Sequence, residues 1–527
     1  MEAACIRQTL LPRTSRLFED YSYHFDQVAR FYRHDPHDAT SFHRAAAELS
    51  SYPEERRARL IEALRPLNPD SRALETLAKP GALAVVTGQQ VGLFTGPAYT
   101  IYKALTAVRI AQRLCDEGFP AAPVFWLATE DHDFAEVNHA WIFGPEHEPV
   151  RLQARATVED HRPVGALELA DIPIDALRSL LDGFPFGGEV ADAAAQAYAD
   201  GALMGAAFRA LLKRLLAPFD LVYVDPLAPA FRALGAPLLR AAVERSADLK
   251  RRVLERNREL ESAGYHAQVH IEPGTSFFFL LEGGRRMTLR VRNGGWQSAE
   301  TGYSTAELMN MAERLSPNAL LRPVLQDFAL PTVTYVGGPA ELAYLAQAEP
   351  VYRELLGRMP VAVHRASFTL LDYRAAKLME RYSLSWPVIF EGQESIASAI
   401  SRQLVPESIG QAFQRASTAV DSALEQLSRE LAAFDPTLTA ALARSRSKIA
   451  YQFSKMEAKT AREALRRNDR AMRETKFLAG LLYPQKHLQE RLYTILPFVA
   501  KHGFDLASRL YDNVRLDCPD HQTIVIS

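Results

Sequence analysis

One histidine lies among three carboxylates in the segment Glu130-Asp131-His132-Asp133, directly after the apolar run 123–128. Carboxylates beside a histidine raise its proton affinity and fix its orientation, which suits general acid–base catalysis. Their oxygens could also hold a hard cation such as Mg²⁺, or the acids could simply cap a following helix. Because charged residues follow a fully apolar run, we favour catalysis and predict that Glu130, Asp131, His132 and Asp133 are catalytic residues.

A glycine-rich segment, 87–103, forms the second candidate cluster. Its glycines at 88, 92 and 96 let the backbone turn tightly and approach a ligand. Pro97 is placed to open a helix, whose free N–H groups would bind a phosphate or carboxylate, with Lys103 one turn further on. The segment has neither P-loop nor GxGxxG spacing, and a plain strand-to-helix turn remains the alternative. Lys103 is a predicted catalytic residue, and the predicted ligand-binding residues are Thr87, Gly88, Gln89, Gln90, Gly96, Pro97, Tyr99 and Thr100.

A third cluster combines Arg322-Pro323-Val324-Leu325-Gln326-Asp327 with a Gly337-Gly338-Pro339 turn and the helix after it. Glu341, Tyr344 and Gln347 fall within two helical turns, so one helix face could present all three to a ligand. A turn followed by an ordinary amphipathic helix is equally compatible with the spacing. The further predicted binding residues are Trp126, Asn138, Gln326, Asp327, Gly337, Gly338, Glu341 and Tyr344.

These clusters need strands to position them. The runs 82–86 and 123–128 are typical of buried strands, and a helix is predicted between them over 98–117, with Cys115 on its apolar face. Strand, loop, helix and strand make a βαβ unit, in which loops at the carboxyl ends of parallel strands open on one crevice. The glutamine-bearing loop and the histidine loop should therefore face the same site.

The rest of the chain indicates an α/β core over 1–375, with insertions at about 144–210 and 260–315. Residues 1–80 have a helical pattern, and further strands are predicted at 219–226, 268–271, 277–280, 333–336 and 361–364. The short runs after 266 suggest a small antiparallel patch. Residues 484–527 regain core character and should pack back on the core, ending in a strand at 522–526.

A long antiparallel helical arm is predicted over 376–483, broken at Asp435-Pro436. Its first helix has an apolar seam with heptad spacing, and its second carries apolar residues seven apart and many arginines and lysines. A basic helix can bind RNA, but a coiled-coil exterior or a homodimer contact is the interpretation we favour. The seam residues are Ile409, Phe413, Ala416, Val420, Ala423 and Leu427, then Leu442, Ile449 and Met456.

Composition excludes several classes of protein. The 527 residues carry a net charge of −2, which gives no global attraction to nucleic acid or anionic membranes. No apolar stretch is long enough to span a bilayer, and the first residues do not resemble a signal peptide. Three cysteines without CxxC spacing favour reduced thiols and a cytoplasmic location.

Taken together, the motifs TGQQxGLxTGPxYTxxK, PVFWxAxEDHDFxExNH and LRPVxQDxxLPTxxYVGGPxE resemble the BshC family, the cysteine ligases of bacillithiol biosynthesis. The resemblance covers nearly the whole chain. It implies a Rossmann-like core with connecting inserts, a coiled-coil dimerisation arm, and a last-step enzyme that adds cysteine to the amine of glucosaminyl-malate.

Such a reaction requires an activated cysteine carboxylate, which makes ATP or another nucleotide the expected cofactor and leaves a metal undecided. His132, oriented by Glu130 or Asp133, would take a proton from the glucosamine ammonium. Asp131 could instead bind that ammonium or a metal. Two other functions stay open: a metal-dependent hydrolase that uses the acidic cluster, and an RNA-binding coiled-coil protein.

Overall fold

The computed structural model describes residues 4–158, 160–272, 274–292, 294–299 and 301–526. The chain divides into two compact units. Unit 1 contains the described residues up to Pro145, Val150–Thr369 and Glu490–Ile524. Unit 2 contains Glu146–Pro149, Leu370–Gln489 and the chain from Val525 onward. Among the described helices, none is both long enough and apolar enough to cross a lipid bilayer.

The described residues of the two units form the following strands and α-helices. The strands are β1 (Ala4–Ile6), β2 (Leu83–Gln90), β3 (Ala121–Ala128), β4 (His139–Phe143), β5 (Pro149–Gln153), β6 (Arg155–Ala156), β7 (Leu169–Ala170), β8 (Val222–Val224), β9 (Thr275–Glu282), β10 (Arg285–Arg292), β11 (Gly295–Ser298), β12 (Thr301–Tyr303), β13 (Leu315–Pro317), β14 (Thr332–Gly337), β15 (Val361–His364), β16 (Phe368–Asp372) and β17 (His521–Ile526). The helices are α1 (Arg16–Tyr23), α2 (Phe25–Val28), α3 (Thr40–Glu48), α4 (Glu54–Leu64), α5 (Arg72–Leu77), α6 (Tyr99–Asp116), α7 (Phe134–Val137), α8 (Ile174–Leu181), α9 (Gly187–Ala197), α10 (Met204–Leu215), α11 (Pro229–Glu244), α12 (Ser246–Ser262), α13 (Thr305–Asn310), α14 (Arg322–Ala329), α15 (Pro339–Leu355), α16 (Tyr373–Arg381), α17 (Trp386–Glu391), α18 (Gln393–Gln403), α19 (Glu407–Phe434), α20 (Thr437–Arg466), α21 (Asp469–Leu482), α22 (Gln489–Leu492), α23 (Leu496–His502) and α24 (Leu506–Asp512).

The centre of unit 1 is a five-stranded sheet in the order β15-β14-β2-β3-β8, and every neighbouring pair in it is parallel. This confirms the predicted α/β class with a Rossmann-like parallel sheet. The chain builds outward from β2 through β3 to β8, then returns to the other side of β2 with β14 and β15. The strand order therefore reverses between β2 and β14, and the crevice at such a switch point is where open α/β sheets bind ligands.

Both faces of this sheet are covered, because successive side chains of a strand point to opposite faces. On one face, Val85 packs in a core with Ile110 and Leu114 of α6. On the other face, Val86 belongs to a larger core that includes residues of α11 and α15. Burial on both faces explains why these strands are continuous apolar runs rather than alternating ones.

The second insertion contains an antiparallel sheet in the order β12-β11-β10-β9-β13, as the short β-rich runs predicted. The predicted strand at 268–271 is wrong, because this segment is irregular. Val269 exchanges two hydrogen bonds with the side chain of Gln347, its amide donating at 2.9 Å and its carbonyl accepting at 2.7 Å. Gln347 is consequently bound to backbone and not presented to a ligand as the helix-face prediction proposed.

Cys115 also differs from its prediction, since it is exposed and not part of the core. Helix α6 buries Ile101, Leu105, Ala111 and Leu114, which places Cys115 at the edge of the apolar stripe. The prediction extended the apolar stripe of α6 by one residue beyond Leu114, the last buried residue of the helix.

In unit 2, helices α19 and α20 form the predicted coiled-coil hairpin and pack against each other. The predicted seam is partly wrong: Phe413 and Val420 are half-buried with Leu424 and Leu431, whereas Ile409, Ala416, Ala423 and Leu427 are exposed. One neighbouring helix covers only part of the apolar stripe. Several basic residues of the arm have acidic partners, including Arg446 with Asp421 at 2.9 Å and Arg467 with Glu463 at 2.8 Å.

Distant parts of the chain meet where β1 pairs antiparallel with β17, with Ala4 opposite Thr523. The sulfurs of Cys5 and Cys518 lie 3.7 Å apart there, and both cysteines are free thiols. Their separation of more than five hundred residues in sequence gave no sign of this proximity. The first part of β17, up to Ile524, is thus built into unit 1.

Candidate active site

The glutamine-bearing loop and the histidine loop meet at the carboxyl ends of β2 and β3, where Gln90 is in register with Ala128. The side-chain amide of Gln90 donates hydrogen bonds to Asp131 at 2.7 Å and to Glu136 at 3.1 Å. The convergence predicted from the parallel strands is therefore present. The two loops share one wall of a cavity of about 710 Å³ at the switch point.

Most of the predicted site residues line this cavity. They are Gly88, Gln89, Gln90, Tyr99, Lys103, Trp126, Glu130, Asp131, His132, Asp133, Gly338, Glu341 and Tyr344. They come from β2, α6, β3 and its following loop, and the β14–α15 junction, so three sequence-distant clusters form one site. The cavity is large enough for a small-molecule substrate with several functional groups.

Close backbone approach explains the glycine at position 88. A Cβ on Gly88 would lie 2.9 Å from both the Cβ and the carbonyl oxygen of Trp126 on β3. Any side chain there would push β2 and β3 apart, so glycine is needed for packing between the strands rather than for a left-handed turn.

Eight predicted binding residues do not line the cavity: Thr87, Gly96, Pro97, Thr100, Asn138, Gln326, Asp327 and Gly337. Each serves the scaffold instead. The Thr87 hydroxyl donates to the carbonyl of Val336 at 2.9 Å and so ties β2 to β14. Gly96 adopts a left-handed φ of 67° that ends the turn before α6.

The other predicted binding residues outside the cavity contribute to burial, hydrogen bonding and packing within the protein. Asn138 is buried, and its backbone carbonyl accepts from the amide of Ala154 at 2.9 Å. Asp327 is fully buried and accepts from Gln326 and from the Tyr352 hydroxyl, and burial raises its pKa above the ordinary value. A Cβ on Gly337 would approach Glu341 to 3.0 Å, so this glycine also serves close packing.

The start of α6 offers fewer backbone donors than the predicted anion site needs, because two of its amides are already used. The amide of Ala98 donates to the carbonyl of Tyr493 at 2.7 Å, and the amide of Thr100 donates to the carbonyl of Pro97 at 2.9 Å. The side chain of Thr100 is buried within the helix packing. A helix N-terminus binds anions only where its N–H groups are free.

Lys103 is buried and forms an ion pair with Glu341 of α15. Its ammonium also donates to the carbonyl of Gly88 and to the side chain of Gln89, each at 3.0 Å. Burial alone would raise the pKa of Glu341, but Lys103 beside it holds that pKa below the ordinary value. Lys103 therefore fixes the β2 loop against α15, and its charge is compensated within the protein.

The three carboxylates around His132 turn to three different partners. Glu130 is buried against the guanidinium of Arg232, although burial still raises its pKa. Asp133 caps α7 by accepting from the amide of Glu136 at 3.3 Å. Asp131 accepts from Gln90 and, at 2.7 Å, from the backbone amide of His132. In the described part of the chain, no group of three or more His, Cys, Asp or Glu side chains could hold a metal ion.

His132 has a different environment from the one predicted. Its pKa is lowered by burial and by the neighbouring Arg286, which outweigh the raising effect of Asp131 and Asp133. Glu130 and Asp133, predicted to orient the ring, bind Arg232 and the amide of Glu136 instead. The Nη1 atom of Arg286 lies 3.2 Å from Nδ1 of the ring. Because a guanidinium can only donate, Nδ1 accepts and the neutral ring carries its proton on Nε2. His132 thus offers a neutral N–H donor, and its lone pair is directed at Arg286.

Four arginines in the cavity wall were not predicted as site residues: Arg286, Arg322, Arg365 and Arg491. Arg365 could have been found, since it follows the strand β15 at the same sheet edge. Arg322 was part of the third cluster, and its guanidinium donates to Gln326 and Tyr344 at 3.0 Å. Arg286 and Arg491 come from an insertion and from the end of the chain, and no sequence pattern connected them to the site.

Comparisons with known proteins match the whole chain. The family "Bacillithiol biosynthesis BshC, N-terminal Rossmann-like domain" matches residues 1–366, and "Bacillithiol biosynthesis BshC, C-terminal coiled-coil domain" matches 368–526. A Solibacter usitatus protein named "Putative cysteine ligase BshC" is 54% identical and covers 100% of both chains. Proteins of the same name from Koribacter versatilis and Salinibacter ruber are 35% and 33% identical and cover 99% and 96% of both chains. The chain therefore belongs to the BshC family of bacillithiol biosynthesis.

Proposed function

We propose that this protein joins cysteine to the amine of glucosaminyl-malate and so forms bacillithiol. The observation that carries the proposal is the polarity of the cavity. Asp131, Asp133 and Glu136 line one part of it, and Arg322 and Arg491 line another. A substrate that carries an ammonium and two carboxylates matches this arrangement of charge.

In this proposal, Asp131 binds the glucosamine ammonium and accepts its proton, which leaves a nucleophilic amine. Asp131 is held in place by Gln90, which gives the second glutamine of the first motif a role. Arg491 binds a malyl carboxylate, with the hydroxyls of Tyr99 and Tyr344 in the same cavity. His132 donates from Nε2 to the oxyanion that develops when the amine attacks the cysteine carbonyl.

The cysteine carboxylate must be activated, because carboxylate and ammonium do not condense at neutral pH. We propose that ATP or another nucleotide supplies this activation as an acyl adenylate or acyl phosphate. The amine then displaces AMP or phosphate and forms the amide bond.

We expect the purified protein to convert glucosaminyl-malate, cysteine and ATP into bacillithiol, with AMP or ADP formed in equal amount. Mass spectrometry of the reaction measures both products, and omission of each reactant is the control. Asp131→Asn should remove product formation because the amide cannot accept the proton. Recovery of unchanged glucosaminyl-malate with the wild-type protein would contradict the proposal.

We further propose a homodimer through the helical arm. Ile409, Leu427 and Met456 remain 39%, 45% and 51% exposed, so a second copy could bury this apolar surface. Sedimentation equilibrium should give twice the 58.7 kDa chain mass, and Leu427→Glu should shift it toward the monomer. Ser422→Glu, at an exposed position of the same helix, is the matched control. A monomeric wild-type protein at micromolar concentration would contradict the dimer.

A further inference from the structure

A second cavity, of about 400 Å³, adjoins the candidate active site, and we call it the arginine pocket. It is lined chiefly by Arg286, Arg290 and Arg292, together with His132, His161 and Gln297. Neither the predicted site nor the proposed reaction assigns a ligand to it.

Strand geometry aligns these arginines. Residues 286, 288, 290 and 292 alternate along β10, at intervals of about 7 Å in a regular strand. All four line the pocket, although the pairing of β10 with β9 is irregular between Thr288 and Arg290. Leu289, on the other face, is buried in the core. Gln297 of β11 lies directly opposite Arg290, and its amide adds a neutral donor to the same face. The pocket therefore presents a row of hydrogen-bond donors from β10 and β11.

The charge of this row is compensated only at Arg286, whose guanidinium lies 3.7 Å from the carboxylate of Asp131. The described residues that line the pocket include three arginines and no aspartate or glutamate. Within the described ranges, neither Arg290 nor Arg292 has a carboxylate within ion-pair distance. In the neighbouring cavity, by contrast, Lys103 is paired with Glu341 and Arg365 with Glu490. Guanidinium groups without an acidic partner on a concave surface attract a polyanion. Their planar arrangement of N–H donors allows bidentate hydrogen bonds to phosphate oxygens.

Two residues belong to both cavities, His132 and Arg286. The Arg286 guanidinium stacks on Phe279, 3.8 Å from the ring centroid, and donates to Ser316 and Pro317 at 3.0 Å. The loop that carries His161 is tied to β10, because the amide of Arg286 donates to the His161 carbonyl at 2.7 Å. An anion in the arginine pocket would therefore lie beside the proposed oxyanion donor.

We propose that the arginine pocket binds the phosphate chain of a nucleoside triphosphate that activates the cysteine carboxylate; this inference rests on the proposed function. One carboxylate oxygen forms a bond to phosphorus, and the bond from that phosphorus to its leaving group breaks. Attack at the α-phosphorus releases pyrophosphate and leaves an acyl adenylate, whereas attack at the γ-phosphorus releases the diphosphate and leaves an acyl phosphate. The electron pair departs with the leaving phosphate, whose charge Arg290 and Arg292 neutralise.

The test is calorimetric titration of the full-length protein with ATP, with pyrophosphate and with adenosine. We expect ATP to bind most tightly and adenosine to bind weakly. The variant Arg290→Gln/Arg292→Gln should weaken ATP and pyrophosphate binding by about tenfold for each guanidinium that contacts phosphate. Both side chains are exposed, so the fold should be retained. The matched control, Arg155→Gln/Arg178→Gln, removes the same charge from exposed ion pairs elsewhere in unit 1 and should leave binding unchanged.

The outcomes separate this inference from the proposed function. Loss of ATP affinity in the double variant supports the nucleotide site even if no bacillithiol is formed. A wild-type protein that makes bacillithiol, with an unchanged ATP KM in the double variant, overturns the site but not the function. Equal loss in the control variant, or binding of pyrophosphate without ATP, also contradicts it.

Discussion

Replacing His132 by alanine should lower the kcat for bacillithiol formation by about 10²–10³-fold, the usual effect of removing one oxyanion donor. The expected cause is loss of the Nε2 proton donor, because Arg286 occupies Nδ1. The variant should keep its fold, since the ring is only partly buried at the cavity wall. Steady-state kinetics and a thermal melt measure the two effects. Turnover close to that of the wild type would contradict any catalytic role of His132.

A second variant, His132→Gln, distinguishes a role of His132 as a hydrogen-bond donor from a role as a general base. Glutamine keeps an N–H donor and cannot take up a proton at neutral pH, so partial activity supports the donor role. Burial and Arg286 lower the pKa of His132 below its ordinary value of 6.5, so the ring stays neutral at pH 6.5 and above. If His132 were the base, activity would fall in acid with an apparent pKa below 6.5, and this acid limb would disappear in His132→Gln. An acid limb that is unchanged in this variant belongs to a group other than His132 and would contradict its role as the base.

Replacing Glu490 by alanine should destabilise unit 1 by about 3–5 kcal/mol, because it leaves a buried charge without its partner. The carboxylate is 1% exposed and accepts from both terminal nitrogens of Arg365, at 2.9 and 2.6 Å. It also accepts from the Ser367 hydroxyl at 2.9 Å and from the amide of Phe368 at 3.0 Å. The midpoint of urea-induced unfolding measures the change. Glu75→Ala removes an exposed ion pair with Arg65 and should cost about 1 kcal/mol or less.

The stability difference between the wild type and Glu490→Ala should depend on pH. Burial alone would raise the pKa of Glu490, but Arg365 lowers it to about 2 from an ordinary value of 4.5. A carboxyl with a depressed pKa stabilises the fold fully above its unfolded pKa and loses this contribution as the pH falls toward the folded pKa. The difference should therefore be full at neutral pH and shrink between pH 4.5 and 2. A difference that is constant over this range would show that the charge of Glu490 is not responsible.

The sequence predicted correctly those elements whose positions follow from local hydrophobic pattern and from the geometry of a parallel sheet. The runs before Gln90 and Asp131 are strands because they are continuous and apolar, and their loops meet because neighbouring parallel strands end at one edge. The helical hairpin followed from heptad spacing, although the buried seam depends on which helix lies opposite. Such features depend on residues within about forty positions of one another.

The electrostatics of the site could not be predicted, because the partners come from distant segments. Arg286 reaches His132 from 154 residues away, and Glu490 reaches Arg365 from 125 residues away. Asp131 and Asp133 do raise the pKa of His132, but burial and Arg286 outweigh them, and neither effect could be read from the neighbouring residues in sequence. The Tyr493 carbonyl blocks the start of α6 for the same reason.

The division of unit 1 into separate stretches of chain has a consequence for biosynthesis. The Rossmann-like sheet is complete once β15 has left the ribosome, but Glu490–Ile524 emerges only after Leu370–Gln489 of unit 2. Until then, Arg365 lacks its counter-ion, and β1 lacks its pairing strand β17. A nascent chain stalled before residue 490 would expose the unpaired Arg365 and the unpaired strand β1 to chaperones and proteases, so folding of unit 1 should finish only after synthesis of these last residues.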